Sequence, residues 1–185
     1  IFLNIIKRLL DSSFLEEQVI DLDIKFAEMA RLRELRNQAI KDSILTRSKE
    51  DEVNATLRYK TNNYPVRIRL KGDWTDHLIG DKWSFRVKIR KNKAFLGMKE
   101  FSLQHPRTRR YINEYLFQSF LKHEKAPYLR YKFITLKING KRLGTYAIEE
   151  HFSKYLLENS GFREGPIIRL SENSRERYKG CQGSS

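Results

Sequence analysis

The residues best suited to chemistry are six cations at alternate positions of two short segments. They are Arg67, Arg69, Lys71, Arg86, Lys88 and Arg90. Because successive side chains of a β-strand point to opposite faces, this alternation predicts two strands that carry basic outer faces. Spread flat, such a face suits nucleic acid, and folded over a cleft it suits nucleotide phosphates. A solvated face without a ligand explains the same pattern.

Two adjacent carboxylates form the second feature. Glu149 and Glu150 end a predicted strand that returns from a turn at Asn139-Gly140. Asn and Gly both tolerate positive φ, so this pair predicts a β-hairpin with a type I′ turn. A helical pattern begins at Phe152, directly after the carboxylates. They therefore lie at a strand-to-helix junction, a position that often borders a cleft.

The elements around these residues predict an α+β fold. Apolar residues recur with a period near 3.6 from Leu22 to Ile40, which predicts a helix that begins at about Asp21. A second helix is predicted from Ile112 to Phe120, and short strands precede and follow it. The order of helix, strands, helix, two strands and helix predicts an antiparallel sheet covered on one face by helices.

The positive charge lies in the second part of the chain. The whole sequence has 185 residues and a net charge of +14, while residues 1–65 contain 11 basic and 11 acidic side chains. The entire excess therefore falls in residues 66–185. It implies a polyanionic partner, such as nucleic acid, nucleotide phosphate, acidic protein or a lipid headgroup.

Several familiar sites are absent from the sequence. It contains no GxGxxG, Walker A, HExxH or GxSxG motif. Its four histidines show no metal-ligand spacing, and a single cysteine, Cys181, excludes a disulfide framework. No metal site is predicted.

The compartment stays open. No apolar run is long enough to span a bilayer. The opening segment, Ile1 to Ile6, fits the first turns of an amphipathic helix or the end of a membrane anchor that lies upstream. A cytoplasmic and a membrane-anchored protein are both compatible with this sequence.

A series of short motifs resembles the spore-coat protein H (CotH) kinase family. In order, the motifs are Lys71-Gly72-Asp73, residues 82–88 (KWSFRVK), Gly97-Met98-Lys99, Phe101-Ser102-Leu103, Asn113-Glu114, Ile138-Asn139-Gly140, Gly144-Thr145-Tyr146 and Glu149-Glu150. Each motif is weak alone, but their order and spacing are more specific. The similarity runs from about residue 57 to residue 170.

This resemblance implies an atypical protein-kinase-like fold that transfers the γ-phosphate of ATP to Ser or Thr of a protein substrate. The family lacks the usual Gly-rich loop, in keeping with its absence here. On this basis residues 1–56 are expected to form a helical lead-in, residues 57–150 a small lobe, and residues 151–185 the start of a large lobe. An acidic protein substrate would suit the basic charge.

The resemblance also assigns roles to individual residues. Lys88 is the predicted phosphate-binding strand lysine, with Arg86 as the fallback, and Glu114 is the carboxylate expected to orient it. Tyr146 to Glu150 would form the hinge that meets adenine, with Glu149 or Glu150 close by. A solvated strand position for Lys88 and Arg86, a surface position for Glu114 and a capping role for the last two carboxylates are the alternatives.

One departure from the family concerns Mg²⁺. Kinases hold this ion with acidic residues of the second lobe, yet the chain has no Asp after Asp81. The catalytic and metal-binding acids are therefore expected beyond Ser185, and this stretch alone is not expected to transfer phosphate.

Two other functions remain open at this point. One is a non-catalytic basic module that binds nucleic acid or another polyanion, and the other is a pseudokinase scaffold. Burial of Trp74, Trp83 and Phe85 against helices would favour the kinase lobe. Their exposure beside the basic rows would favour nucleic acid.

Overall fold

The structure is a computed structural model that describes residues 17–46, 48–72, 75–91, 93–163 and 165. Seven strands build it: β1 (Val19–Ile24), β2 (Val53–Tyr59), β3 (Asn62–Leu70), β4 (Phe85–Ile89), β5 (Glu100–Gln104), β6 (Tyr131–Ile138) and β7 (Lys141–Glu150). The α-helices are α1 (Phe26–Asp42), α2 (Asn113–His123) and α3 (Lys154–Asn159). Short 3-10 turns occur at Lys49–Asp51, Thr75–Leu78 and Pro106–Arg109.

The strands close into a barrel in the order β1-β2-β3-β4-β5-β7-β6. Every neighbouring pair is antiparallel except β1 and β6, which run parallel, with Val19 opposite Thr135. The Thr135 amide donates to the carbonyl oxygen of Gln18 at 2.9 Å. This parallel contact joins the first strand to the hairpin β6–β7 and leaves no open edge.

Side-chain alternation divides the strands into an apolar interior and a polar exterior. One inner row runs across four strands through Leu70, Phe85, Leu103 and Ile148, and each of these is at most 3% exposed. Since neighbours along a strand face opposite sides, the residue next to each member of this row lies on the outside. The outer face is where charged groups gather.

The two long helices pack differently. Leu32 and Ala39 of α1 are buried in the barrel core, and the helix ends at Ser43, which has a left-handed conformation. In α2, by contrast, the predicted apolar face points outward: Leu116 and Phe120 of that face are each more than half exposed, as is the neighbouring Phe117. Only Gln118 of this helix is buried.

The predicted fold class is wrong in two respects. The strands close into a seven-stranded barrel, whereas an open antiparallel sheet covered by helices was expected. The N-terminal region is not a purely helical lead-in either, because Val19–Ile24 forms strand β1 and the helix begins only at Phe26. Ile20, Leu22 and Ile24 are buried with a period of two, and Leu22 also fitted the helical spacing of the residues that follow it.

The local predictions around the hairpin are confirmed. Strands β3 and β4 cover most of the two predicted basic segments, although Lys71 and Arg90 lie just beyond their ends, and β6 and β7 form the predicted hairpin. Asn139 and Gly140 have φ values of 50° and 78°, as a type I′ turn requires. The division into residues 1–56, 57–150 and 151–185 stays a prediction, although β2 crosses the first of these boundaries.

Some predictions fall outside the described residues. They concern the segment Ile1 to Ile6, the side chain of Trp74, Cys181 and most of the expected start of a large lobe. Among the helices that the structure describes, none combines the length and the apolar composition needed to cross a membrane.

Candidate functional site

A buried ion pair between Lys71 and Glu149 forms the centre of the site. Lys71 Nζ lies 3.0 Å from Glu149 Oε1 and donates to Gln104 Oε1 at 2.7 Å. Gln104 Nε2 in turn donates to Glu149 Oε2 at 2.7 Å. The three side chains satisfy one another in a closed triangle, which is how a protein tolerates a buried charge pair.

The end of strand β3 positions Lys71. Leu70 points into the barrel, so Lys71 points outward, and its backbone amide donates to the Ser84 carbonyl at 2.8 Å. Gly72 follows with a φ of 124°, a conformation that residues with a Cβ rarely adopt. The Lys-Gly sequence therefore ends the strand and holds the lysine against β5 and β7.

Strand pairing places Arg86 and Ser102 beside the ion pair. Arg86 of β4 lies opposite Ser102 of β5, and Ser102 lies opposite Glu149 of β7. The Arg86 guanidinium also lies 3.8 Å from Glu100 and contacts Nδ1 of His151 at 2.5 Å. Ser102 is 1% exposed, and its hydroxyl has no hydrogen-bond partner among the described residues. That hydroxyl is therefore a buried polar group without a described partner, opposite Glu149 in the strand register.

A short turn after β5 supplies a third cation, Arg109. The turn Pro106–Arg109 begins at His105, whose Nδ1 accepts a hydrogen bond from the Arg107 amide at 3.1 Å. Pro106 has the fixed φ that suits the first position of such a turn. Arg109 Nε then lies 3.5 Å from Glu149 Oε2.

Burial and charge shape the titration of this cluster. Burial lowers the pKa of Lys71 to about 8, while Glu149 acts in the opposite direction; Arg109 and Arg86 lower it further. Burial alone would raise the pKa of Glu149, but Lys71 and Arg109 outweigh it and hold that pKa below its ordinary value. Nearby His77 has a lowered pKa because it is buried. Lys71 and Arg109 thus flank the buried Glu149 carboxylate, while Arg86 acts on Lys71 and pairs with Glu100. Three cations and two carboxylates leave the cluster with an excess of positive charge.

Two of the predicted site residues lie in this cluster. Arg86 belongs to its outer row, and Glu149 accepts the central ion pair. The Glu149 side chain therefore contacts Lys71, whereas a hinge position beside adenine was expected for Glu149. Their roles in binding a nucleotide stay predictions.

The other predicted site residues lie elsewhere. Lys88 is exposed, with Arg67 and Glu100 as its cross-strand neighbours, and it makes no ion pair with Glu114 within the described ranges. Glu114 instead accepts a hydrogen bond from Gln118 at 2.7 Å. Tyr146 is fully buried and donates to the Trp83 carbonyl at 3.1 Å.

Glu150 faces the opposite side of β7 from Glu149. Its carboxylate is 3% exposed and receives two hydrogen bonds from Arg130, from Nε at 2.7 Å and from a terminal nitrogen at 2.6 Å. Arg130 also donates to the carbonyl oxygens of Leu96 and Gly97. This pairing uses both carboxylate oxygens, so Glu150 acts as a structural clamp in the structure.

Sequence reasoning missed Lys71, Gln104 and Arg109 as members of one site. Lys71 was among the six alternating cations, and the Gly that follows it was a usable signal for a special position. The choice of Lys88 followed the family resemblance, since no feature of the sequence alone reveals which cation is buried. Gln104 and Arg109 meet Glu149 across 45 and 40 residues respectively, and only the folded barrel brings them together.

Comparisons with known proteins agree with the motif order. The family described as CotH kinase protein matches residues 68–181, which is more than half of the chain. The match begins within β3 and includes Lys71, Arg86, Ser102, Gln104, Arg109 and Glu149. A comparison with curated proteins finds no match. The chain belongs to the CotH kinase protein family.

Proposed function

We propose that the chain contributes the phosphate-binding part of a CotH-family protein kinase. In this proposal Lys71, Arg86 and Arg109 bind the phosphates of ATP. Bound ATP would supply the γ-phosphoryl group for transfer to Ser or Thr of a protein substrate. The observation that supports the proposal best is the buried Lys71–Glu149 pair surrounded by two further cations.

The residues of the cluster fit a phosphate group. Lysine offers a compact charge with three donors, and each arginine offers several donors in a planar arrangement. The buried Ser102 hydroxyl adds a donor that has no other described partner. Glu149 keeps Lys71 charged in the absence of a ligand, since its carboxylate raises the pKa of that lysine. In the complex, a bound phosphate would stabilise the charged form of Lys71 in the same way.

The described residues do not fit a magnesium site of their own. No group of three His, Cys, Asp or Glu side chains within them comes close enough together to hold a metal ion. Acidic ligands for Mg²⁺ would have to come from residues other than these. The cluster by itself binds and orients phosphate.

Replacement of Lys71 by Met tests the proposal. Charge-assisted hydrogen bonds contribute about 1.5–3 kcal/mol, so Lys71→Met is expected to weaken ATP binding about tenfold or more. Titration calorimetry at pH 7 measures the dissociation constant. Arg109→Gln should weaken binding in the same direction, by a smaller factor because Arg109 is more exposed.

Lys88→Met is the matched control, because it removes the same charge from an exposed position of the neighbouring strand. It should change ATP affinity less than about twofold, as expected for an exposed charge. Circular dichroism and urea unfolding verify that each variant is folded. Absence of ATP binding by the unaltered protein, or a larger loss for Lys88→Met than for Lys71→Met, would refute the proposal.

A nucleic-acid-binding module is the second candidate function. Tyr111 is 60% exposed and lies two residues from Arg109, which is the arrangement that stacking on bases would use. Phe85, however, is buried in the barrel, and Arg58 and Arg67 are engaged by Asp23 and Glu52. Of the six alternating cations, Arg67, Lys71 and Arg86 make ion pairs with Glu52, Glu149 and Glu100. The ATP titration also separates this candidate and a pseudokinase scaffold from an ATP-binding protein.

A further inference from the structure

A pocket of about 410 Å³ lies between α1, the loop before β4 and the tip of the β6–β7 hairpin. Small-molecule sites in proteins commonly have volumes of about 300–1,000 Å³. We infer that this pocket is a second ligand site, which binds a small aromatic anion. The inference does not depend on the proposed nucleotide site.

The pocket has a mixed lining, in which apolar side chains form one part and polar or charged side chains form the other. Phe85 contributes a ring that is 1% exposed, and the half-buried indole of Trp83 lies 6.5 Å from it between ring centroids. Met29, Ile138 and Leu143 complete the apolar lining. Two aromatic walls and three aliphatic side chains favour a flat, apolar ligand body over a sugar or a free phosphate.

The charged groups of the lining favour an anion. Arg33 and Lys141 approach the pocket from α1 and from β7, and Asp81 is its one acidic residue. Neither cation makes an ion pair with another described residue. The lining therefore carries one net positive charge, which a ligand with a single carboxylate or sulfonate group would neutralise. The Asp81 carboxylate can accept a hydrogen bond from the same ligand.

The Trp83 wall is held in place before any ligand binds. Its indole nitrogen donates to the Gly80 carbonyl at 2.8 Å, and its own carbonyl accepts from the Tyr146 hydroxyl at 3.1 Å. The guanidinium of Arg36 lies 5.1 Å from the centroid of the indole ring. Such fixation lowers the entropic cost of binding a ligand.

Hydrogen bonds also fix the side of the pocket that is formed by the tip of the β6–β7 hairpin. Asn139 exchanges two side-chain hydrogen bonds with the backbone of Ile24, one as acceptor at 2.7 Å and one as donor at 2.9 Å. The Gly140 amide donates to Asp21 at 3.3 Å. The hairpin tip is therefore attached to β1, and the pocket has rigid walls on two sides, as expected of a binding site.

The pocket and the Lys71 cluster share no residue and lie on opposite faces of β4, where Phe85 of the pocket faces inward and Arg86 of the cluster faces outward. Leu143 lines the pocket, and Glu149 lies six residues further along the same strand. At about 3.4 Å per residue, the two positions are about 20 Å apart. One bound nucleotide at Lys71 would leave the pocket open to another ligand.

Fluorescence of Trp83 provides a direct test. The sequence contains two tryptophans, so Trp74→Phe leaves Trp83 as the only tryptophan, and excitation at the red edge of tryptophan absorption avoids the tyrosines. The probe is 8-anilinonaphthalene-1-sulfonate, an aromatic monoanion. Excitation of Trp83 should give saturable probe emission with one probe per chain. Arg33→Gln combined with Lys141→Gln should weaken this binding about tenfold, because the anion loses both cations.

Four controls make the result specific. The uncharged analogue N-phenyl-1-naphthylamine should bind the double variant and its parent equally. Lys132→Gln, an exposed change on β6, and Phe117→Ser, on the exposed face of α2, should leave the transfer from Trp83 unchanged. Saturating ATP should not displace the probe. The inference would be overturned if energy transfer from Trp83 to the probe does not saturate, or if the double charge variant binds the anionic probe as tightly as its parent. Displacement of the probe by ATP would also overturn it.

Discussion

Adjacent carboxylates on β7 show how one strand serves two different purposes. Glu149 lies on the outer face among Lys71, Gln104 and Arg109, and Glu150 lies on the inner face with Arg130. Both side chains are less than 10% exposed. Their partners differ in an important way: Glu150 is matched by one arginine that binds both oxygens, while Glu149 is surrounded by more positive charge than it can neutralise.

The difference separates a structural charge from a functional one. A matched, bidentate pair leaves no electrostatic demand for a ligand and serves stability. A cluster with excess cations and an unpaired buried hydroxyl costs stability and leaves an interaction for an anion to complete. On this criterion we assign the proposed phosphate site to the outer face of β7 and a structural role to its inner face.

Loss of the Arg130–Glu150 ion pair on the inner face of β7 should produce the largest effect. Arg130→Met removes the partner of Glu150 and the donors to Leu96 and Gly97, and the loss of one member of a buried ion pair costs about 3 kcal/mol or more. Urea unfolding should show that decrease in the free energy of unfolding. ATP affinity of the folded variant should not change.

The exposed ion pair of α3 offers a control for this prediction. Lys154 and Glu158 lie 3.9 Å apart with side chains that are 62% and 43% exposed. Lys154→Met should change the stability by less than about 0.5 kcal/mol, because solvent screens such pairs. Equal losses for Lys154→Met and Arg130→Met would contradict the structural role of the clamp.

The next largest effect concerns the loop at Leu96 and Gly97, whose carbonyl oxygens accept hydrogen bonds from Arg130. Gly97 has a φ of 77°, and a Cβ at this position would lie 2.5 Å from a terminal nitrogen of Arg130. Since Arg130 is held by Glu150, it cannot move away freely. Gly97→Ala should therefore cost about 2 kcal/mol, of which about 1 kcal/mol is the strain of the positive φ.

Gly140→Ala separates these two contributions. Gly140 has nearly the same φ, 78°, but a Cβ there would meet no atom within 4 Å. This variant should lose only about 1 kcal/mol from backbone strain. Thermal unfolding of both variants measures the difference. Equal losses of stability in the two variants would mean that the Arg130 side chain moves away from the added Cβ without an energetic cost.

The local structure around the site was largely predictable from the sequence. Alternation identified the strands that contain Arg69 and Arg86, and Asn139-Gly140 identified the hairpin that ends at Glu149 and Glu150. These features depend on neighbouring residues and on turn chemistry, which a sequence shows directly. The family resemblance located the same region and is confirmed by the family match.

Closure of the barrel and the membership of the cluster were not predictable in this way. The parallel pairing of Val19 with Thr135 joins residues 116 positions apart, and no local pattern encodes it. Burial of Lys71 follows from its contacts with Gln104 and Glu149, whereas Lys88 has the same sequence pattern and is exposed. Long-range packing decides which of several equivalent cations becomes part of a site.

A pH titration of ATP binding should distinguish the buried Lys71 from an exposed surface lysine. Burial lowers the pKa of Lys71 to about 8, and the charged form of Lys71 is the form that binds phosphate. ATP affinity should be nearly complete at about pH 7, where Lys71 is mostly charged, and fall about fivefold as the pH rises from 7.5 to 9. Glu149 and His77 have lowered pKa values, so neither changes its charge in this range. In Lys71→Arg the affinity should be independent of pH, and a parallel decrease in that variant would contradict the assignment to Lys71.

The smallest expected effect compares the two carboxylates directly. Glu149 raises the pKa of Lys71, so Glu149→Gln should move the pH midpoint of ATP binding below 8. Glu150→Gln removes the same charge from the adjacent residue on the other side of the strand, and the midpoint should stay near 8. Calorimetric titrations from pH 6.5 to 9 measure the two midpoints. A common shift in both variants would show that net charge alone controls Lys71, whereas a shift confined to Glu149→Gln would assign that control to the contact on the outer face.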